Sequence, residues 1–149
     1  MVNFSEYIEK NLQLYTLRND GLKLSTKAQA NFCRSELASA LRRAPQQVNL
    51  LLGGYDEKDE AASLYFLDYM GSLVKVPYGC QGYAANFCMS TMDRECAPVM
   101  DEAAAIAVVE KCIHELRTRF LIAQHNFIIK IIDKEGVRVH SHGADPADT

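Results

Sequence analysis

The sequence has little of what would take it out of the globular class. Of its 149 residues only 8 are glycine and 4 proline, and no Pro/Gly/Ser-rich linker, low-complexity stretch or internal repeat interrupts it. With 48% apolar and 23% charged residues, it is neither a disordered tail nor a collagen-like fibre. No apolar run approaches the roughly 18 residues of a membrane-spanning helix. The densest runs, Phe127 to Ile132 and Val48 to Leu52, have strand length, so no membrane partner is expected. Basic clustering is also lacking. Lys and Arg number 16 against 19 Asp and Glu, a net charge of −3, and the one doublet is Arg42-Arg43. A nucleic-acid binder needs a basic stripe, so that class is set aside. The opening Met1-Val2-Asn3-Phe4-Ser5-Glu6 has neither a charged nor an apolar leader region, and no signal peptide is expected. Five cysteines (Cys33, Cys80, Cys88, Cys96, Cys112) form no C-x-x-C. An odd, scattered set suits buried free thiols in a reducing compartment rather than a disulfide framework.

What is present is enough apolar material for one domain, which at this length can bury roughly 70% of its unfolded surface. Phe4, Ile8, Leu12 and Tyr15 recur at helical spacing, with Asn3 as expected N-cap and Glu6 completing a capping box. Asn19-Asp20-Gly21 ends that helix. Ser25 caps a second helix, whose stripe is Ala30, Cys33, Leu37 and Leu41, with Phe32 on its flank. Arg42 and Arg43 are expected in its last turn, where cations suit the helix dipole, and Pro45 stops it. Strands are predicted at Val48–Leu52, Leu64–Tyr69 and Leu73–Val76, joined by short turns into an antiparallel meander. A glycine-bounded loop at 79–82 leads into a short helix over Tyr83–Met92. A strong helix then runs from Asp101 to about Arg119 on the stripe Ala105, Val109, Cys112 and Leu116, widened by Ile106, Val108 and Ile113. Phe127–Ile132 and Val137–Val139 form a hairpin, and His140–Thr149 is expected to fray. The order ααβββααββ predicts an α+β layered domain with two small sheets, whose edges and apolar faces want partners.

No constellation of residues spells out chemistry. His140 and His142 alternate as metal ligands can, but no cysteine or carboxylate cluster accompanies them, and a surface pair is the expectation. Cys112 and His114 lie about 200° apart around a helix and point to different faces. Cys80 is the best-placed thiol nucleophile, yet nothing supplies the base it requires. Gly53-Gly54 lacks the pattern of a phosphate loop and reads as a turn. Asp56, Asp59, Glu60, Asp93 and Glu95 read as solvated loop carboxylates. Tyr65, Tyr69, Tyr78 and Tyr83 are dense enough to mark an interface, although a strand face explains them about as well.

Three stretches carry a resemblance. They are Phe4-Ser5-Glu6-Tyr7-Ile8-Glu9-Lys10-Asn11-Leu12-Gln13-Leu14-Tyr15-Thr16-Leu17-Arg18-Asn19; Gln47-Val48-Asn49-Leu50-Leu51-Leu52-Gly53-Gly54-Tyr55-Asp56 with Leu64-Tyr65-Phe66-Leu67-Asp68-Tyr69; and Ile128 to Val137. In this order and spacing the chain resembles the beta subunits of the 20S proteasome from Asn3 to about Val139. The resemblance implies the αββα sandwich of N-terminal nucleophile hydrolases. It also implies that the N-terminal strands and nucleophilic threonine are missing from residues 1–139, with 140–149 a polar tail. Active members carry a Gly-Ser-Gly-Ser loop, where this chain has Gly82-Tyr83-Ala84-Ala85, and a late aspartate and serine, where it has Phe120 and Ala123. Each change removes a group that handles a proton or donates a hydrogen bond. The implied role is therefore a non-catalytic, ring-forming subunit in the cytoplasm and nucleus. Its partners would be other alpha and beta subunits in stacked heptameric rings, and no cofactor, metal or catalytic residue is expected. The expected interface is Tyr83, Phe87, Met89, Met92 and Arg94, chosen for local Tyr, Phe and Met content. An active threonine-type endopeptidase and a stand-alone interaction module are the alternatives.

Overall fold

The computed structural model describes residues 2–121 and 126–143. They fall into two compact units, Met1–Val76 and Pro77–Thr149, where the sequence suggests one domain followed by a tail.

The first unit comprises α1 (Val2–Arg18), α2 (Thr26–Ala40), β1 (Leu50–Asp56), β2 (Ala61–Leu67) and β3 (Leu73–Lys75). The strands form the expected antiparallel meander in the order β1-β2-β3. Alternation along β1 turns Leu50 and Leu52 toward the helices, where Phe4, Ile8, Cys33, Leu37, Val48 and Leu67 make the core. Leu51, Phe66 and Val74 are register partners and form the row on the opposite face. Leu51 and Val74 are exposed, so this sheet does leave an apolar face uncovered by its own unit. Gly71, at φ +85°, makes the β2–β3 turn, and a Cβ there would lie 3.2 Å from Cβ of Ala38.

The second unit comprises a 3-10 turn (Gly82–Ala84), α3 (Ala85–Glu95), α4 (Glu102–Arg119) and the hairpin β4 (Phe127–Asp133) and β5 (Gly136–Gly143). Cys88, Val108, Cys112 and Leu116 form its core. Asp101 caps α4, its carboxylate accepting from the amide of Ala104 at 2.8 Å. Arg138 of β5 reaches Glu102 at the start of α4 and Asp133 in β4, tying hairpin to helix.

Several boundaries differ from expectation. Asn3 lies inside α1 and is not its cap. Leu41 is the C-cap of α2, so Arg42 and Arg43 fall in the turn beyond it. β1 starts at Leu50 and runs through Gly53-Gly54 to Asp56, because the register with β2 continues unbroken past the glycines. The buried side of α4 is Val108, Cys112 and Leu116; Ala105 and Val109 are exposed, so the true stripe is rotated. β5 continues through His140 to Gly143, pairing with Phe127–Ile129 across a bulge, so the expected tail boundary falls inside a strand. Residues 144–149, His125 and Ala123 lie outside the described residues, as does the side chain of His142.

Candidate functional site

The 79–82 loop and the helix after it hold the residues singled out by the sequence. Gly82 takes φ +71°, which lets the loop turn into the 3-10 segment. α3 is amphipathic. Cys88 and Thr91 are buried, Phe87 and Met92 pack on the core, and Ser90, Asp93 and Arg94 face outward. Tyr83 is 74% exposed, with its ring 6.1 Å from that of Phe120. Phe120 in turn receives Phe87 edge-on at 5.6 Å. Of the five expected interface residues, Tyr83 and Arg94 thus stand at the surface. Met89 is half-buried, and Phe87 and Met92 serve the core beneath.

The surrounding charges are satisfied locally. The Tyr78 hydroxyl donates to Asp93 at 2.6 Å, which raises the Tyr78 pKa above its ordinary value. Glu95 pairs with Lys111, and that hydrogen bond lowers the glutamate's pKa. Asp93 and Glu95 are therefore helix residues with partners, and the loop assignment for them is corrected. The turn Gly82–Ala84 with Ala85 offers an aromatic ring and two methyl groups, and position 120 carries a phenylalanine ring packed on its neighbours.

Beneath this surface the thiols gather. All five cysteines are free, with Cys33, Cys88 and Cys112 buried and Cys80 and Cys96 half-buried. The Cys80 thiol donates to Sδ of Met92 at 3.7 Å, and the Cys88 thiol to the carbonyl of Cys112 at 3.8 Å. Burial pushes the Cys112 thiol up to about 11 and raises those of Cys80, Cys88 and Cys96. Such thiols stay protonated and are poor nucleophiles. His114, two residues from Cys112, is exposed, so those two do face apart as expected.

Sequence reasoning missed one polar node in the first unit. Asp56, at the end of β1, accepts from the amide of Thr26 at 2.7 Å and from its hydroxyl at 3.1 Å. Thr26 is the first residue of α2, so a strand carboxylate and the Ser25 cap together satisfy that helix terminus. Gly54 lies against Thr26, closer than any side chain would permit. A half-open cleft of about 640 Å³ borders the node, lined in part by Lys23, Gln29, Tyr55 and Lys58. Nothing in local spacing links residues 26, 54 and 56; the one available signal was a Gly-Gly pair inside an otherwise apolar strand pattern.

Comparison with known proteins gives this arrangement its context. The family profile described as "Proteasome subunit" matches residues 1–132. The chain is 50% identical over 147 residues to proteasome subunit beta type-2-B of Arabidopsis thaliana, covering 99% of this chain and 73% of that protein. It is 50% identical over 143 residues to proteasome subunit beta type-2 of Oryza sativa subsp. japonica, covering 96% and 66%. To the probable proteasome subunit beta type-4 of Schizosaccharomyces pombe it is 44% identical over 137 residues, covering 91% and 70%. The chain thus spans about two thirds to three quarters of the length of these relatives. The α+β class and antiparallel sheets fit the same assignment. With identity spread over nearly the whole chain and both units, the chain belongs to the proteasome subunit family.

Proposed function

We propose that this chain is a non-catalytic beta subunit of the 20S proteasome core particle, contributing ring contacts and chamber wall to intracellular protein degradation. The observation that carries the reading is the 3-10 turn Gly82–Ala84. Where active relatives of the resembled family are expected to hold small hydroxyl residues, this turn carries an exposed tyrosine ring and alanine methyls. Phe120 supports it, since a packed phenyl ring can neither donate nor accept a proton. The partners are other alpha and beta subunits in stacked rings, in the cytoplasm and nucleus, and both units belong to one subunit domain. No helix among the described residues is long and apolar enough to cross a membrane.

The contact surface on this reading is the outer side of the 3-10 turn and α3. Tyr83 and Arg94 supply an aromatic and a guanidinium, residue types enriched where interfaces carry their energy. Phe87 and Met92 hold that surface in place from below, with Met89 half-buried on the same helix. Tyr83→Ala and Arg94→Ala remove exposed atoms and leave the core intact. Each is expected to reduce incorporation into particles on native gels, with the chain's helix content unchanged. Normal incorporation of both variants would place the contact surface elsewhere.

A further inference from the structure

The second unit gathers several thiols and a thioether in and against its core. Cys88 and Met92 are four residues apart on α3 and therefore share one face of that helix. Cys80, in the 79–82 loop, has its Sγ 3.7 Å from Sδ of Met92, and both side chains pack on the core cluster that contains Cys88. Two thiols and one thioether thus lie in one packed cluster. Cys80 is half-buried in a loop bounded by Gly79 and Gly82, while Cys88 is 2% exposed.

The composition of the trio selects a ligand. Zinc favours four thiolate, imidazole or carboxylate donors. Among the described residues, no group of three or more His, Cys, Asp or Glu side chains is arranged to hold a metal. A thioether beside two thiols is instead a soft donor set, suited to a monovalent ion that accepts two or three sulfurs. Metal–sulfur bonds of about 2.3 Å set the sulfurs of a trigonal site about 4 Å apart. The Cys80–Met92 separation of 3.7 Å lies within a few tenths of an ångström of that spacing. We propose that Cys80, Cys88 and Met92 form a binding site for one cuprous ion. Binding exchanges two S–H bonds for two Cu–S bonds and releases two protons to solvent, with no change in the oxidation state of copper or sulfur. The Met92 thioether adds its lone pair as the third donor.

The test titrates the 149-residue chain anaerobically with Cu(I), delivered as its acetonitrile complex, against a chromogenic cuprous chelator. One equivalent is expected to bind, with a sulfur-to-copper charge-transfer band and a sulfur-only shell in X-ray absorption. Cys80→Ser and Cys88→Ser should each abolish the band. Met92→Leu, which conserves volume, should keep the fold and weaken binding by about ten- to a hundredfold. Cys33→Ser, in the other unit, should bind as the parent does, and excess Zn(II) should not displace the copper. The proposal is overturned by no binding, by undiminished binding in Cys80→Ser, by displacement with Zn(II), or by full affinity in Met92→Leu together with loss in Cys112→Ser. Circular dichroism on each variant separates loss of the site from loss of the fold.

Discussion

Gly54→Ala is the substitution whose consequence the structure fixes most tightly. The backbone at Gly54 has no positive φ, so conformational freedom is not the issue; space is. A Cβ there would lie 2.3 Å from Oγ1, 2.8 Å from Cγ2 and 3.1 Å from Cβ of Thr26. The closest of these is about 1 Å short of ordinary contact. Thr26 is 8% exposed and cannot swing into solvent without cost. Its hydroxyl must leave the 3.1 Å hydrogen bond to Asp56 while its amide bond to the same carboxylate is strained. Overpacking of this kind costs about 1–3 kcal/mol, and a lost hydrogen bond to a charged group about 1.5–3 kcal/mol. Some relaxation is shared between the two, so the expected destabilisation is roughly 2–4 kcal/mol. Thr26→Ala alone should cost less. In its background Gly54→Ala should become far milder, because only the 3.1 Å contact then remains to be relieved. The assay is amide hydrogen exchange along α2. The Thr26 amide itself should exchange roughly thirtyfold faster or more in Gly54→Ala. Unchanged exchange in α2, or strict additivity of the two substitutions, would refute the reasoning.

Other consequences follow from titrating groups. The Asp68 carboxylate accepts from the amides of Ser72 at 2.8 Å and Met70 at 3.0 Å, and these hydrogen bonds, that to Ser72 first, lower its pKa. The native state therefore binds that proton less readily than the unfolded chain. The contribution to stability is present above the ordinary carboxyl value and is lost as pH falls through the lowered one. Exchange at Ser72 and Met70 should accelerate in acid, and Asp68→Asn should remove that pH dependence. Cys33 runs the other way. Burial raises its thiol from 9.0 to about 11, so its contribution is complete below 9 and is lost as pH rises toward 11. The first unit should loosen over that alkaline window, and Cys33→Ala should flatten the response in a pH-dependent melt. At neutral pH a maleimide should modify Cys80 and Cys96 first and reach Cys33, Cys88 and Cys112 only on unfolding, as peptide mapping would read.

Periodicity made most of the elements legible. Phe4, Ile8, Cys33 and Leu37 were assignable to a core by helical spacing, because each stripe meets its own sheet or helix partner nearby. Misplacements arose where tertiary contact overrules local preference. Gly53-Gly54 reads as a turn until β2 is laid beside it, and Asn3 reads as a cap although α1 begins one residue earlier. Val109 and Val108 are equally apolar, and only the packing of α3 decides which turns inward. The exposed side of the candidate surface was partly legible. Aromatic density flagged Tyr83 and Phe87 alike, but composition cannot separate an exposed ring from one packed edge-on against Phe120. The Thr26–Asp56 node spans thirty residues of chain and leaves no periodic trace.

The most direct measurement combines incorporation with labelling. Particles purified through a tag on this chain are treated with a covalent threonine-directed inhibitor and analysed by native gel and subunit mass. The account predicts that the chain comigrates with the assembled core particle and carries no adduct, while other subunits in the same particles do. A chain found only outside particles, or one bearing the inhibitor itself, would contradict it.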